Sequence, residues 1–241
     1  MKSFSAVSFP AVRWLREGTE AVLALFFPGV CEVCGRALVR GERYLCTACL
    51  ADFPFADDAF DGNRALAERF EGAERPPENL YTLFYYNRYG DYKNLIYSVK
   101  YYANRRLGFY LGRMLGERLL GKCTADCLVP VPLHPRRERE RGFNQALEIA
   151  RGINSVLGIE ICDRAIIRIR NNDSQTGKTT AGRHENVHGI FALHQPWQVA
   201  GRHVLLVDDV ITTGATVGSC MQVLAAAGEV RFSLACLARV I

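Results

Sequence analysis

The sequence predicts an α/β protein: a parallel sheet flanked by helices, with a small cysteine module ahead of it. Three observations carry this. From Leu80 onward, strand-like apolar runs alternate with segments of helical spacing, the rhythm of βα units. Two C-x-x-C pairs, Cys31/Cys34 and Cys46/Cys49, stand eleven residues apart. A four-residue apolar run, Val204 to Val207, ends in two adjacent carboxylates and a small, hydroxyl-rich turn. The size fits: 241 residues make one medium domain, or one domain plus a module. Apolar residues at 49% and charged residues at 23% exclude a disordered, collagen-like or coiled-coil chain. A net charge of +5 permits anionic partners such as phosphates or nucleic acid without demanding them.

Taken in order, residues 1–27 read as a helix, because Val12, Leu15, Thr19, Val22, Leu23 and Phe26 repeat at helical spacing. The apolar run Ala21 to Phe27 is too short to cross a bilayer, and Arg13, Arg16, Glu17 and Glu20 interrupt what precedes it. The segment is therefore expected to be an amphipathic or half-buried helix ending before Pro28 rather than a signal peptide. No other segment approaches the roughly 18 apolar residues of a membrane span, so a soluble protein is expected. Residues 28–52 are the cysteine module. Residues 53–79 are polar, carry Pro76-Pro77, and read as a partly helical linker. The main domain, 80–241, opens with a strand at Leu80 to Tyr86 and helices at Tyr92 to Tyr102 and Arg105 to Leu120. A strand at Cys127 to Leu133 and a helix at Gln145 to Leu157 follow. Strands are then expected at Ala165 to Ile169 and Val204 to Val207, a helix at Val217 to Ala227, and a strand at Val230 to Ala238.

Each C-x-x-C turns back on itself and presents two thiolates to one ion, and two such knuckles complete a tetrahedral zinc site. Cys31, Cys34, Cys46 and Cys49 are therefore candidate ligands of a structural Zn²⁺. Gly35 and Gly41 supply turn freedom in a ribbon that could not fold without metal. The alternative is ordinary buried or redox-active thiols. Nine cysteines, an odd number with four of them paired, fit a reducing cytoplasm better than a secreted disulfide scaffold. The other five read as small core residues.

The most specific stretch is Val204-Leu-Leu-Val-Asp208-Asp209-Val210-Ile211-Thr212-Thr213-Gly214-Ala215-Thr216. Ligands of open α/β sheets bind outside the carboxyl ends of the strands. A helix N-terminus preceded by Thr and Gly offers free backbone N–H groups and a positive dipole end to a phosphate. Thr212, Thr213 and Thr216 can donate to its oxygens, and Gly214 lets the backbone approach. Ionised Asp208 and Asp209 only accept hydrogen bonds, which suits a sugar diol or a Mg²⁺. The plain alternative is an N-capped helix after a strand with two surface acids. Adjacent acids crowded at a strand end repel each other, which counts against it.

This stretch resembles the 5-phosphoribosyl 1-diphosphate (PRPP) signature of type I phosphoribosyltransferases. The resemblance implies that Asp208 and Asp209 hold the ribose 2- and 3-hydroxyls, and that Val210, Ile211, Thr212, Thr213, Gly214, Ala215 and Thr216 hold the 5-phosphate, with Mg²⁺ accompanying PRPP. Together with the four cysteines and Val129-Pro-Val-Pro-Leu-His134-Pro-Arg136-Arg-Glu-Arg-Glu-Arg141-Gly-Phe-Asn144, it resembles the ComF family of competence proteins. By that resemblance the fold is type I phosphoribosyltransferase-like with an N-terminal zinc ribbon. The same resemblance implies that the loop His134 to Asn144 binds pyrophosphate through Arg136, Arg137 and Arg141, whose guanidinium groups can fork onto phosphate oxygens. The segment Gln175-Thr-Gly-Lys178 to Arg183 and on to Phe191 resembles the family's flexible loop. It implies a lid in which Lys178 and Arg183 meet phosphate or nucleic acid, where Thr180, His184 and His188 replace arginines usual in the family. Ser98-Val-Lys100-Tyr-Tyr-Ala103 resembles a further family segment, with Ala103 in place of a glycine. Lys100 is either a ligand there or a packing residue with its head in water.

Two functions remain. In one, implied by the resemblance, the protein binds PRPP and handles single-stranded DNA in the cytoplasm during natural transformation, with DNA-uptake proteins as partners. Basic residues interleaved with Tyr85, Tyr86, Tyr89, Tyr92, Tyr101 and Tyr102 suit base stacking and phosphate contact, though such tyrosines also fit a half-buried helix face. In the other it is an active Mg²⁺-dependent phosphoribosyltransferase. Pyrophosphate would then leave PRPP as an acceptor attacks the anomeric carbon, the protein acting through positioning and charge neutralisation.

Overall fold

The computed structural model describes residues 29–56, 70, 75–86, 89–102, 104–170 and 189–240. The expected helix 1–27, much of the expected linker, and the lid residues Lys178 and Arg183 lie outside them. The chain divides into two compact units, Met1–Asp52 and Phe53–Ile241. In the first, bridges Val30↔Ala37 and Arg43↔Leu45 close two tight turns ahead of a short helix, α1 (Thr47–Ala51).

The second unit contains β1 (Leu80–Tyr86), α2 (Lys93–Tyr101), α3 (Arg105–Leu119), β2 (Cys127–Pro130), α4 (Pro135–Arg141), α5 (Gln145–Leu157), β3 (Glu160–Ile161), β4 (Ile166–Arg168), β5 (Phe191–Leu193), β6 (His203–Ile211), α6 (Ala215–Ala225) and β7 (Arg231–Val240). Five strands form one parallel sheet in the order β1-β7-β6-β2-β3. Its strands read as apolar runs because both faces are covered. Val204, Leu206, Phe232 and Leu234 share a core with Val217, Cys220 and Leu224 of α6. By strand alternation Leu205 and Val207, also fully buried, face the other side, where α5 lies against β6 and β2. Among the described residues no helix is long and apolar enough to cross a membrane.

α3 and α5 meet backbone to backbone. A Cβ on Gly112 would overlap the Ile149 carbonyl, and one on Gly152 the Phe109 carbonyl. These glycines thus seat α5 and, through it, the loop that opens toward the site. Buried Glu148 of α5 ties the pair further, accepting from Arg105 of α3 at 2.6 Å.

The structure departs from the sequence reading in four places. The expected loop His134 to Asn144 is mostly helix α4. His134 caps it, its Nδ1 accepting from the Arg136 N–H at 3.2 Å; Pro135 occupies the first turn and Gly142 ends it at φ 82°. The expected strand Ala165 to Ile169 shortens to β4, which pairs antiparallel with β5 in a separate ribbon outside the parallel sheet. β6 continues through Asp208 to Ile211, because Asp208↔Cys236 and Val210↔Ala238 keep pairing with β7. β2 ends at Pro130 rather than Leu133: Val131 still donates to the Val207 carbonyl at 2.9 Å, but Pro132 has no N–H to give.

Candidate functional site

The carboxyl end of β6 and the start of α6 border an open cleft lined by Asp208 and Val210 to Val217. Strand alternation sends the two adjacent acids to opposite faces of the sheet end. Asp209 accepts an ion pair from Lys100 of α2 at 3.1 Å. Asp208 lies on the α6 side and accepts from the Asp209 N–H at 2.8 Å. Burial and the neighbouring Asp209 charge push the Asp208 carboxyl up to about 7, against the opposing pull of Lys100 and Arg168. Burial works against the Lys100 ammonium, but Asp209 and Asp208 outweigh it and hold Lys100 above the ordinary lysine range. The site is thus a crowded acid pair with a resident cation.

Residues 212–214 form the turn, and Gly214 takes the left-handed conformation at φ 82° before α6 begins. A Cβ there would meet the Phe70 ring at 3.2 Å, so both the backbone and the space call for glycine. Gly214 offers no capping side chain to α6. Thr213 Oγ1 accepts from the Ala215 N–H at 3.4 Å. The helix start therefore presents N–H groups, the Thr212 and Thr216 hydroxyls and a positive dipole end to the cleft, an arrangement that takes a phosphate.

The arginines are spread along α4 and beyond. Arg136 pairs with Glu140 at 3.0 Å in the open. Arg141 donates to Gln145 Oε1 at 3.3 Å and lies over the Tyr101 ring at 5.7 Å. Arg137 and Arg141 both act electrostatically on Arg168 of β4. Burial first, then Arg137, lowers the Arg168 pKa, while Cys220 and Asp208 partly restore it. Arg168 also stands over the Phe191 ring at 5.6 Å. Arg137, Arg141 and Arg168 thus share one positive field bordering Asp208, whereas Arg136 is engaged with its helix neighbour.

Lys100, read from the sequence as either a ligand or a packing residue with its head in water, pairs with Asp209. Two participants escaped the sequence reading. Arg168 sat in Ile-Ile-Arg-Ile-Arg with no spacing to distinguish it. Phe70, from the polar stretch 53–79, is buried against the Gly214 turn, and only an isolated aromatic could have hinted at it. On α2 itself Tyr97 and Tyr101 stack at 5.8 Å and, with Tyr102, stay exposed beside Lys100.

In the first unit the Sγ atoms of Cys31, Cys34, Cys46 and Cys49 all lie within 4.8 Å of one another. Cys34 and Cys46 stand 3.7 Å apart, close to the ~3.8 Å edge of a tetrahedron with ~2.3 Å metal–sulfur bonds. Cys31 Sγ accepts from the Cys46 N–H at 3.4 Å, and Cys46 Sγ from the Cys49 N–H at 3.5 Å. Burial raises the Cys31 thiol, but N–H donors from Cys34, Cys46 and Val33 outweigh it and bring it down to about 7. Burial and hydrogen bonds with the other three cysteines push Cys49 up. The four sulfurs thus share protons that a cation would displace, and the cluster could hold a metal ion.

Residues 143–240 match the family described as "Phosphoribosyl transferase domain". The chain is similar to DNA utilization protein YhgH of Escherichia coli (strain K12), 30% identical over 245 residues, 97% of this chain and 99% of that protein. It is also similar to Competence protein F of Haemophilus influenzae, 31% identical over 115 residues, 47% of this chain and 50% of that one. Competence protein ComFC of Bacillus subtilis (strain 168) is 39% identical over 93 residues, 37% of this chain and 34% of that one.

Proposed function

The chain belongs to the ComF/YhgH family of phosphoribosyltransferase-fold proteins, and from that premise we propose that it binds PRPP with Mg²⁺ and acts in handling single-stranded DNA during uptake. The observation that carries the ligand is the cleft that joins Asp208, at the end of β6 next to Asp209, to the glycine-turned start of α6. The ribose hydroxyls would donate to the carboxylates, and the 5-phosphate would sit among Thr212, Thr213, Thr216 and the helix N–H groups. Arg137, Arg141 and Arg168 supply the positive field for the pyrophosphate, joined by Lys178 and Arg183 from the lid. Mg²⁺ supplies charge neutralisation between the phosphates and the acid pair. Cys31, Cys34, Cys46 and Cys49 hold a structural Zn²⁺.

Thermal unfolding of the zinc-loaded protein tests the ligand. Mg²⁺ with PRPP at about 100 times its Kd stabilises by about 2.7 kcal/mol, a rise in Tm of several degrees for a chain this size. Ribose 5-phosphate, lacking the pyrophosphate, raises it less. An unchanged Tm would reject the ligand.

The DNA reading rests on the relatives' printed names and on the α2 face, where exposed Tyr97, Tyr101 and Tyr102 lie with Arg141 beside the cleft. Aromatic faces with neighbouring cations suit stacking and backbone contact on single strands. Fluorescence anisotropy with labelled oligonucleotides of unrelated sequence should show log K falling linearly with log salt, by about 0.7 per phosphate engaged. Failure to bind at low salt would remove this reading.

A further inference from the structure

Lys100 is the one cation that the structure places in direct ion contact with the acid pair, among the described residues. It comes from the last turn of α2, whose backbone is firmly seated: Leu95, Ile96 and Val99 are buried, and the Asn104 N–H donates to the Ser98 carbonyl at 3.2 Å. Asn104 then caps α3, its side chain accepting from the Leu107 N–H at 3.1 Å. The helix cannot easily retreat, but a lysine side chain carries four methylenes and swings by rotamer changes alone. Its side chain is 24% exposed and that of Asp209 13%, so the ion pair closes one carboxylate off from solvent while leaving Lys100 a way out. An ammonium 3.1 Å from a carboxylate oxygen occupies the space a divalent cation or its water would need, and it repels that cation.

We propose that Lys100 is a positioning residue for this site: its ammonium holds the Asp209 carboxylate in place while the site is open, and swings away when a divalent cation arrives. The exchange is of one cation for another, with no covalent change. The inference deepens the PRPP reading by naming what the ligand's metal must displace. It is tested with metal alone, so its outcome is separate from whether PRPP binds.

The experiment is titration of Mn²⁺, followed by electron paramagnetic resonance, into the zinc-loaded full chain as wild type, Lys100→Met and Lys100→Arg. Lys100→Met should bind Mn²⁺ at least about tenfold tighter than wild type, since the competing charge is gone. Lys100→Arg, which keeps the charge, should stay within about threefold of wild type. Equal affinity in wild type and Lys100→Met, weaker binding by Lys100→Met, or no Mn²⁺ bound by either would overturn the proposal. Should Lys100→Met fold poorly without metal, thermal unfolding gives the same decision. A rise in Tm with Mn²⁺ larger than that of wild type supports the exchange, and an equal or smaller rise overturns it. A purely structural lysine would lower Tm without altering its response to Mn²⁺.

Discussion

Stripping the metal from the four-cysteine site is expected to unfold residues 29–52 while the parallel sheet stays folded. Among the described residues of that unit, the only buried apolar side chains besides Cys31 and Cys46 are Val33 and Leu45. Two such side chains contribute about 1.5–3 kcal/mol each. Ordering this stretch costs about 1–2 kcal/mol per residue in backbone entropy alone. Hydrophobic burial therefore falls far short on its own, and a bound metal ion is what such a small unit folds around. The local hydrogen bonds assist without closing the gap. Glu42 accepts from the Val39 N–H at 2.9 Å and the Thr47 N–H at 2.7 Å, which ties the turn before α1. Elemental analysis should give one Zn²⁺ per chain. After chelation, amide hydrogen exchange should lose all protection in 29–52 and little in β6, β7 and α5. Cys46→Ser should do the same without chelator, since it removes one of the four proposed thiolate ligands while serine still caps α1. Unchanged protection in a protein shown to be metal-free would refute the structural role of the ion.

The asymmetry between the units has a physical source. The second unit buries large side chains on both faces of its sheet, among them Phe84, Phe232, Leu128 and Leu205. It has a core of its own to fold around.

How much of this was legible in the sequence varies by element. α5 matches its expected bounds, Gln145 to Leu157, because an apolar stripe runs between the cap Asn144 and the terminating Gly158. The cysteine spacing alone identified the cluster. The turn at Gly214 was legible from residue type, and its positive φ agrees. α4 was not, because seven residues dominated by charge show no apolar period; only its ends, Pro135 and Gly142, signalled a helix. The continuation of β6 through Asp208 and Asp209 was hidden because acids are poor strand formers, and pairing with β7 overrode that preference. β4 was expected as a strand, but its partner β5 lies beyond residue 190, and no local pattern announces so distant a pairing. The Lys100–Asp209 pair is likewise non-local: the spacing around Lys100 says that the helix buries Leu95, Ile96 and Val99, and says nothing of what its lysine meets.

The account depends most on the acid pair and the α6 turn acting as one ribosyl-phosphate site. The direct measurement is calorimetric titration of PRPP with Mg²⁺ into wild type and into Asp208→Asn/Asp209→Asn. Amides keep the size of the carboxylates, so the fold should survive. They relieve the repulsion that raises Asp208 but take the partner from Lys100, so thermal unfolding is measured beside the titration to show that the variant is folded. Hydrogen bonds to charged groups are worth about 1.5–3 kcal/mol each, so losing two should weaken binding by roughly a hundredfold or more. Wild-type binding on the order of micromolar, abolished in the variant, is the predicted result. Equal affinity in both proteins, or no binding by folded, zinc-loaded wild type, would contradict it.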